Sequence, residues 1–405
     1  MMNDNFKSNL SRLRHLDWLA VIFQVLLLAI GLVFIYGTGS RLGGSFAGKW
    51  LKQLVWIVGG IAIYLTCATV DYRKLGDRSW IIYTLGVLLL IWVDVAGTRT
   101  NGAQSWLNIG GITIQPSEFA KPASLLFMAW VVTRPGWRGS YVPPLAIATM
   151  VIFPPLILVL LQPDMGTTLV FVPFTLVIAF IKGLRWKWII VTTILCLLFI
   201  PVLFGQLKEH QKTRIKVFLD APASYAIAAA APFVSKERAE SWQQTHKRVF
   251  KEQKFDTWNA DQSLLAVGSG GLTGKGFMRG TQYLLGYLPR PVAPTDFIFS
   301  VIAEETGFVG AALVTVLLVC VILCSCRTAV LAPDELGTCL ALGSATILAT
   351  HTLINVGMTV QAAPIIGIPL PFVSYGGSFM FSTMALAGLC QSVHIRRSEK
   401  DLDTV

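Results

Sequence analysis

The sequence predicts an all-α polytopic membrane protein with about ten transmembrane helices, and three observations lead there. Only 14% of its 405 residues are charged and 54% are hydrophobic, whereas soluble domains carry roughly 25% charged residues. Uncharged apolar stretches recur, among them 18–36, 54–70 and 188–204, each near the ~20 residues a helix needs to cross hydrocarbon. Basic residues cluster at Lys7/Arg12/Arg14, Arg73/Lys74/Arg78, Arg134/Arg138, Lys182/Arg185/Lys187 and Arg396/Arg397, and all of these fall on one side if the spans alternate. By the positive-inside tendency that side is the cytoplasm, with the N- and C-termini on it. The formal net charge of +11 then belongs to cytoplasmic loops and gives no reason to expect a nucleic-acid partner.

In chain order the spans are expected at 18–36, 54–70, 80–96, 119–133, 144–161, 167–182, 187–205, 297–324, 336–361 and 370–393. The first lacks the small-residue cleavage site of a signal peptide and is followed by equally apolar segments, so it reads as a retained span. Short outer loops are expected at 37–53, 97–118 and 162–166, and one large extracytoplasmic loop, 206–296, joins spans seven and eight. Long loops in compact proteins are usually functional or disordered. The chain, 1–405, reads as a single membrane domain that contains this loop. Inside the loop, 226–231 and 235–252 favour helix. The second of these sets Trp242, Val249 and Phe250 among many charges, which suits a helix lying on the membrane surface. The seven cysteines, Cys67, Cys196, Cys320, Cys324, Cys326, Cys339 and Cys390, lie in or at the ends of apolar spans and read as small packing residues.

From Gly268 to Gly276 the chain runs GSGGLTGKG, followed by Gly280, Gly286 and a proline-rich 289–294. Such a stretch is not regular helix. It follows no expected strand and lacks the spacing of a nucleotide-binding loop, so no nucleotide site is expected.

Charged residues at membrane depth are costly and mark functional sites by default. On the outer side they are Lys52, Glu118 with Lys121, Asp164, Asp296 and the pair Glu304/Glu305, joined by loop residues Lys275, Arg279 and Arg290. Each has a plain reading beside a functional one. Asp296 precedes an expected helix and suits a cap or first-turn acid, or a carboxylate at the water interface acting as general base on a hydroxyl. Glu118 and Lys121 stand three apart on one helix face as an ion pair, or Lys121 holds a phosphate group. Asp164 sits in a tight turn, where Asp bonds backbone amides. Glu304 and Glu305 point about 100° apart on a helix and are not expected to share a partner. His351 and Asn355 share a helix face and read as interhelical hydrogen bonders. No His, Cys or carboxylate cluster has zinc-ligand spacing.

In order along the chain these residues fall in GAQSWL from Gly102, QPSE from Gln115 with Lys121, QPDMGT from Gln162, and Gln262-Ser263 leading into GSGGL from Gly268. Further on come GKG from Gly274, GTQ from Gly280, TDFIF from Thr295, AEETG from Ala303, NVGM from Asn355 and PLPFVSYGGS from Pro369. This ordered set, over nearly the whole chain, resembles the SEDS family (shape, elongation, division and sporulation), which includes RodA and FtsW. The run from Gly367 to Pro371 is more similar to the elongation branch, represented by RodA, than to the division branch. Two features depart from the family pattern: 289–294 replaces its usual Pro-Glu-x-His, and 220–258 is longer than typical.

The resemblance implies a peptidoglycan glycosyltransferase of the bacterial cytoplasmic (inner) membrane that polymerises lipid II for cell-wall elongation and rod shape. The donor would be a glycan on undecaprenyl diphosphate, and the next lipid II would supply the acceptor hydroxyl. Asp296 matches the acid treated as catalytic, the general base on that hydroxyl. Lys121 and Lys275 are implied substrate or phosphate contacts, with Glu118, Asp164 and Trp106 shaping the outer cavity. Lys52 stands where the family usually has Arg, keeping the charge without bidentate recognition, and Glu305 joins the substrate-contact group. Implied partners are a class B penicillin-binding protein, a transpeptidase, and other membrane proteins of the elongation machinery. No cofactor is evident, although a divalent cation, Mg or Mn, suits a diphosphate. The competing readings are a lipid-linked precursor transporter, to which ten spans and intramembrane acids also belong, and a non-catalytic scaffold that activates a transpeptidase.

Overall fold

A computed structural model of the chain describes residues 13–100, 103–110, 112–134, 143–162, 164–184 and 257–398, with isolated positions from 187 to 244. Its helices are α1 (Trp18–Leu42), α2 (Lys49–Thr69), α3 (Tyr72–Asp77), α4 (Ser79–Ala96), α5 (Pro116–Thr133), α6 (Pro144–Leu161), α7 (Met165–Ile181), α8 (Thr257–Ser269), α9 (Ile298–Leu331), α10 (Glu335–Thr359) and α11 (Gly377–Ile395). Among the described residues, seven helices, α1, α2, α4, α6, α9, α10 and α11, are long and apolar enough to cross a membrane, and α7 is a shorter apolar helix. The span expected at 187–205 and the helices expected at 226–231 and 235–252 lie outside the described residues, isolated positions apart.

Two local expectations are corrected. The outer segment 97–118 is not all loop: it holds a three-stranded antiparallel sheet of β1 (Thr98–Thr100), β2 (Ala103–Ile109) and β3 (Ile112–Ile114), with Leu107 opposite Ile114 and Asn108 opposite Thr113. Ser105 and Leu107 are buried while Trp106 and Asn108 are more exposed, a period-two pattern that a ~19-residue hydropathy window averages away. The last span begins at Gly377 instead of 370. Pro369 and Pro371 lack the amide a helix needs and push their predecessors toward extended backbone.

The chain divides into two compact units, one of Met1–Thr192, Ala312–Thr352 and Pro369–Val405, the other of Thr193–Ala311 and Leu353–Ile368. In the first, α2 runs along α11, α4 along α5 and α6 along α7. Helix α11 is buried along almost its whole length, so its polar side chains must find partners within the protein. Ser382 Oγ donates to the Glu118 carbonyl at 2.8 Å and Ser392 Oγ to the Val70 carbonyl at 2.6 Å. The Arg396 guanidinium, just past the helix, donates to the Ser392 and Thr69 carbonyls, each at 2.8 Å, and lies 3.6 Å from the Asp71 carboxylate. Nearby in sequence, Arg73 Nε and the Tyr72 hydroxyl both donate to Asp334 Oδ2, at 2.7 and 2.8 Å. Cys324, Cys339 and Cys390 are buried as packing residues.

The second unit is organised by a break in α9. Gly307 there has φ 67° and ψ −163°, a region adopted essentially by glycine alone. Around the break the Glu304 and Glu305 carbonyls and the Phe308 and Val309 amides turn to the glycine-rich segment. Lys275 N–H donates to the Glu304 carbonyl at 3.0 Å and Gly276 N–H to the Glu305 carbonyl at 2.9 Å. In the other direction, Phe308 N–H donates to the Gly271 carbonyl at 2.8 Å and Val309 N–H to the Leu272 carbonyl at 3.1 Å. The backbones meet so closely that a Cβ on Gly307 would fall 2.4 Å from the Gly274 nitrogen. The glycine run therefore serves a helix break that an apolar setting would otherwise leave unsatisfied.

Candidate functional site

In the second unit Asp296 stands two residues ahead of α9 and is half-buried. The turn before it is closed by the Val292 carbonyl, which accepts from Thr295 N–H at 3.2 Å and Phe297 N–H at 3.1 Å. The Asp296 carbonyl accepts from Asn355 Nδ2 at 2.9 Å, and the same nitrogen donates to the Ile368 carbonyl at 2.6 Å. Beside the carboxylate lies Gly367, at φ 70°, where an added Cβ would stand 3.3 Å from Asp296 Oδ2. The acid thus sits on a short turn held through its backbone, next to a residue without a side chain.

Glu304 and Glu305 take separate partners, as expected of adjacent helical positions, but both sets come from one loop. Glu304 Oε1 accepts from Lys275 Nζ at 2.6 Å, Thr281 N–H at 2.7 Å and Thr281 Oγ1 at 3.0 Å, and Gln282 N–H reaches both oxygens. Glu305 accepts from Met278 N–H at 3.0 Å, Gly280 N–H at 3.3 Å and the Tyr283 hydroxyl at 2.9 Å. The two side chains still diverge, but the loop 275–283 curls round the helix end and meets each in turn. Lys275 is thereby fixed with 27% of its side chain exposed.

In the first unit Lys121 and Glu118 are both buried, at 1% and 3% exposure. The ammonium lies 2.9 and 2.8 Å from the two Glu118 oxygens and 2.9 Å from His351 Nε2. His351 Nδ1 is 3.2 Å from the Pro369 carbonyl. A carbonyl only accepts, so Nδ1 carries the ring proton and Nε2 offers its lone pair to Lys121. The pair is thus neutralised within the protein, and the reading of His351 as an interhelical hydrogen bonder holds. Asp164 is the N-cap of α7, accepting from Thr167 N–H at 3.0 Å and Thr167 Oγ1 at 2.9 Å. It also accepts from Gln115 Nε2 at 2.9 Å, which ties the QPDMGT and QPSE motifs together.

Trp106 is half-buried on β2, its carbonyl accepting from Thr98 Oγ1 at 3.1 Å. Lys52 is exposed in the first turn of α2. Its neighbour on that face, Lys49, lies 4.3 Å from the Phe46 ring centre and 5.2 Å from that of Tyr375. The structure thus gathers Glu118, Lys121 and Asp164 within the first unit, and Lys275 and Glu305 within the second. Tyr283 was not singled out from sequence, and Gln115 and Gly367 entered only as the first residues of motifs, with no role assigned; their roles depend on partners elsewhere in the chain. Among the described residues, no group of three or more His, Cys, Asp or Glu is placed to hold a metal ion.

A multi-helix membrane protein with a half-buried acid on a turn and a basic, glycine-rich loop moored to a broken helix is the class these observations define. The family model for FtsW, RodA and SpoVE, described as "Cell cycle protein", matches residues 17–399, and the chain belongs to this family. It is 31% identical over 428 residues to the peptidoglycan glycosyltransferase RodA of Treponema pallidum (strain Nichols), covering 94% of this chain and 98% of the relative. It is 33% identical over 388 residues to the peptidoglycan glycosyltransferase MrdB of Escherichia coli (strain K12), covering 95% and 94%. A chain from a solved structure described as "Structural coordination of polymerization and crosslinking by a peptidoglycan synthase complex" aligns with a TM-score of 0.71 at 26% identity, over 94% of this chain and 98% of that one.

Proposed function

We propose that the chain is a peptidoglycan glycosyltransferase that polymerises lipid II for cell-wall elongation, with Asp296 as its general base. The activity is supported by near-full-length similarity to glycosyltransferases named RodA and MrdB. The role of Asp296 is carried by its seat, in which Asn355 secures the backbone and Gly367 leaves space at the carboxylate. In the reaction Asp296 takes the proton of the acceptor's sugar hydroxyl as that oxygen bonds to the donor's anomeric carbon. The bond from that carbon to the diphosphate oxygen breaks, and its electron pair leaves with the diphosphate. Lys275, the exposed Lys52 and Trp106 are assigned to the anionic lipid-linked substrates. Glu118, Lys121 and Asp164 act as a fixed polar framework, and Glu305, expected at the substrate, holds the loop that carries Lys275.

The proposed topology keeps ten spans, cytoplasmic termini and an extracytoplasmic 206–296, in the bacterial cytoplasmic membrane. It is supported by the pairing of residues expected on one side: Arg396 with Asp71, Arg73 with Asp334 and Lys182 with Glu335. The proposed partner is a class B penicillin-binding protein, because the aligned chain belongs to a complex that couples polymerisation to crosslinking. The broken helix α9 adds to the features that favour a transporter, since such breaks often coordinate cargo. Here the glycine-rich loop bonds the groups around the break, which weighs against that use.

The test is polymerisation of labelled lipid II by the chain purified with its transpeptidase. Asp296→Asn should lose activity by about 10²–10⁴-fold while remaining folded. Equal polymer from both would remove Asp296 as base; lipid II movement without polymer would favour transport. Chelating Mg and Mn in the same assay tests whether a divalent cation accompanies the diphosphate.

A further inference from the structure

Asn355 is fully buried, at 0% exposure. Its amide nitrogen has two protons and two carbonyl partners, Asp296 at 2.9 Å and Ile368 at 2.6 Å. Its Oδ1, also buried, has no hydrogen-bond partner among the described residues. Turning the amide over would set an oxygen against two carbonyls, so the side chain works here as a donor. Both carbonyls belong to the segments that meet at the Asp296 carboxylate. One is Asp296's own, and the other is adjacent to Gly367, whose absent side chain leaves the 3.3 Å approach to Oδ2. One planar group therefore sets the spacing between the segment that bears the acid and the segment that limits it.

We propose that Asn355 is a positioning residue for Asp296, fixing its carboxylate relative to the 366–368 segment so that it meets the acceptor hydroxyl. The proposal rests on Asp296 being the general base. A base misplaced by about 1 Å loses on the order of 10²-fold in rate, whereas substrate affinity set by other groups is spared.

The experiment measures kcat and KM for lipid II polymerisation, per folded protein, in the native chain with its transpeptidase and in Asn355→Ala, Gly367→Ala, Asp296→Asn and Ser263→Ala. Ser263 is a buried control in the same unit, donating to the Thr359 carbonyl at 3.0 Å. Asn355→Ala is expected to lower kcat by roughly 10–100-fold with KM changed far less, and Ser263→Ala to keep a near-native kcat. Gly367→Ala probes the same seat from the other side and carries the test if Asn355→Ala does not fold; it too should lose kcat. A native kcat in Asn355→Ala, or in Gly367→Ala where only that variant folds, with Asp296→Asn inactive, overturns the positioning role and leaves the base in place. An equal fall in kcat for Ser263→Ala also overturns it, since loosening of the unit would then suffice. Native activity in Asp296→Asn removes the base itself, and the proposal with it.

Discussion

Lys275 and Glu304 are joined twice, between side chains from Nζ to Oε1 at 2.6 Å and between backbones from N–H to carbonyl at 3.0 Å. The first bond binds a loop cation to an acid that is 1% exposed, and the second binds the loop itself to the helix that bears the acid. Glu304→Ala would strip Thr281 and Gln282 of their acceptor as well, and each of these part-buried bonds contributes about 0.5–1.5 kcal/mol. Amide exchange across 275–283, read by mass spectrometry, should accelerate by at least ~10-fold. Unchanged exchange there would show that Glu304 does not organise the loop.

Gly307→Ala should destabilise the chain, since the backbone conformation alone costs on the order of 1–3 kcal/mol for a non-glycine residue and the new methyl would meet the Gly274 nitrogen at 2.4 Å. Gly268→Ala, near the end of α8 with nothing within 4 Å of an added Cβ, should be neutral or slightly stabilising. Thermal unfolding in detergent separates the two, and equal midpoints would contradict the assigned role of the break.

Lys121→Met alone leaves the Glu118 carboxylate buried without its cation, which costs about 3–5 kcal/mol. Glu118→Gln with Lys121→Met removes both charges and should recover much of that loss. A double-mutant cycle on unfolding free energy measures the coupling, and additive losses would mean that the 2.8 Å contact contributes nothing beyond two separate residues.

Burial, with the Asp334 carboxylate second, pushes the Tyr72 phenol well above the ordinary tyrosine range. A phenol titrating higher in the folded state than in the unfolded one, near about 10, contributes stability that is complete below pH ~10 and lost as pH rises past it. The native chain should therefore lose thermal stability more steeply than Tyr72→Phe between pH ~9 and ~11. Parallel slopes would indicate that the Tyr72 phenol is not held buried beside Asp334.

Apolar runs and basic clusters made the helices legible, because hydropathy over a span is a local property of the chain. Residues whose meaning lies in a distant partner were only half legible. The i,i+4 spacing of His351 and Asn355 announced a polar helix face, yet nothing local named Lys121 for one or the Asp296 carbonyl for the other. The glycine run was readable as non-helical, but its cause, the break at Gly307, lies some thirty residues downstream. The sheet at 98–114 was missed because three short strands carry a weak alternating signal, and the pairing of Glu304 and Glu305 with one loop because that loop curls round the helix end.

The bonds between 271–276 and the break in α9 also bear on how the chain is made. Translation runs from the N-terminus, so the glycine segment leaves the ribosome before the helix it serves. When Phe308 and Val309 emerge, the carbonyls of Gly271 and Leu272 that receive their amides have already been synthesised. The order of synthesis thus supplies the mate ahead of the need, and a circular permutation that moved 257–276 behind α9 would expose an unmated helix end to the bilayer during insertion.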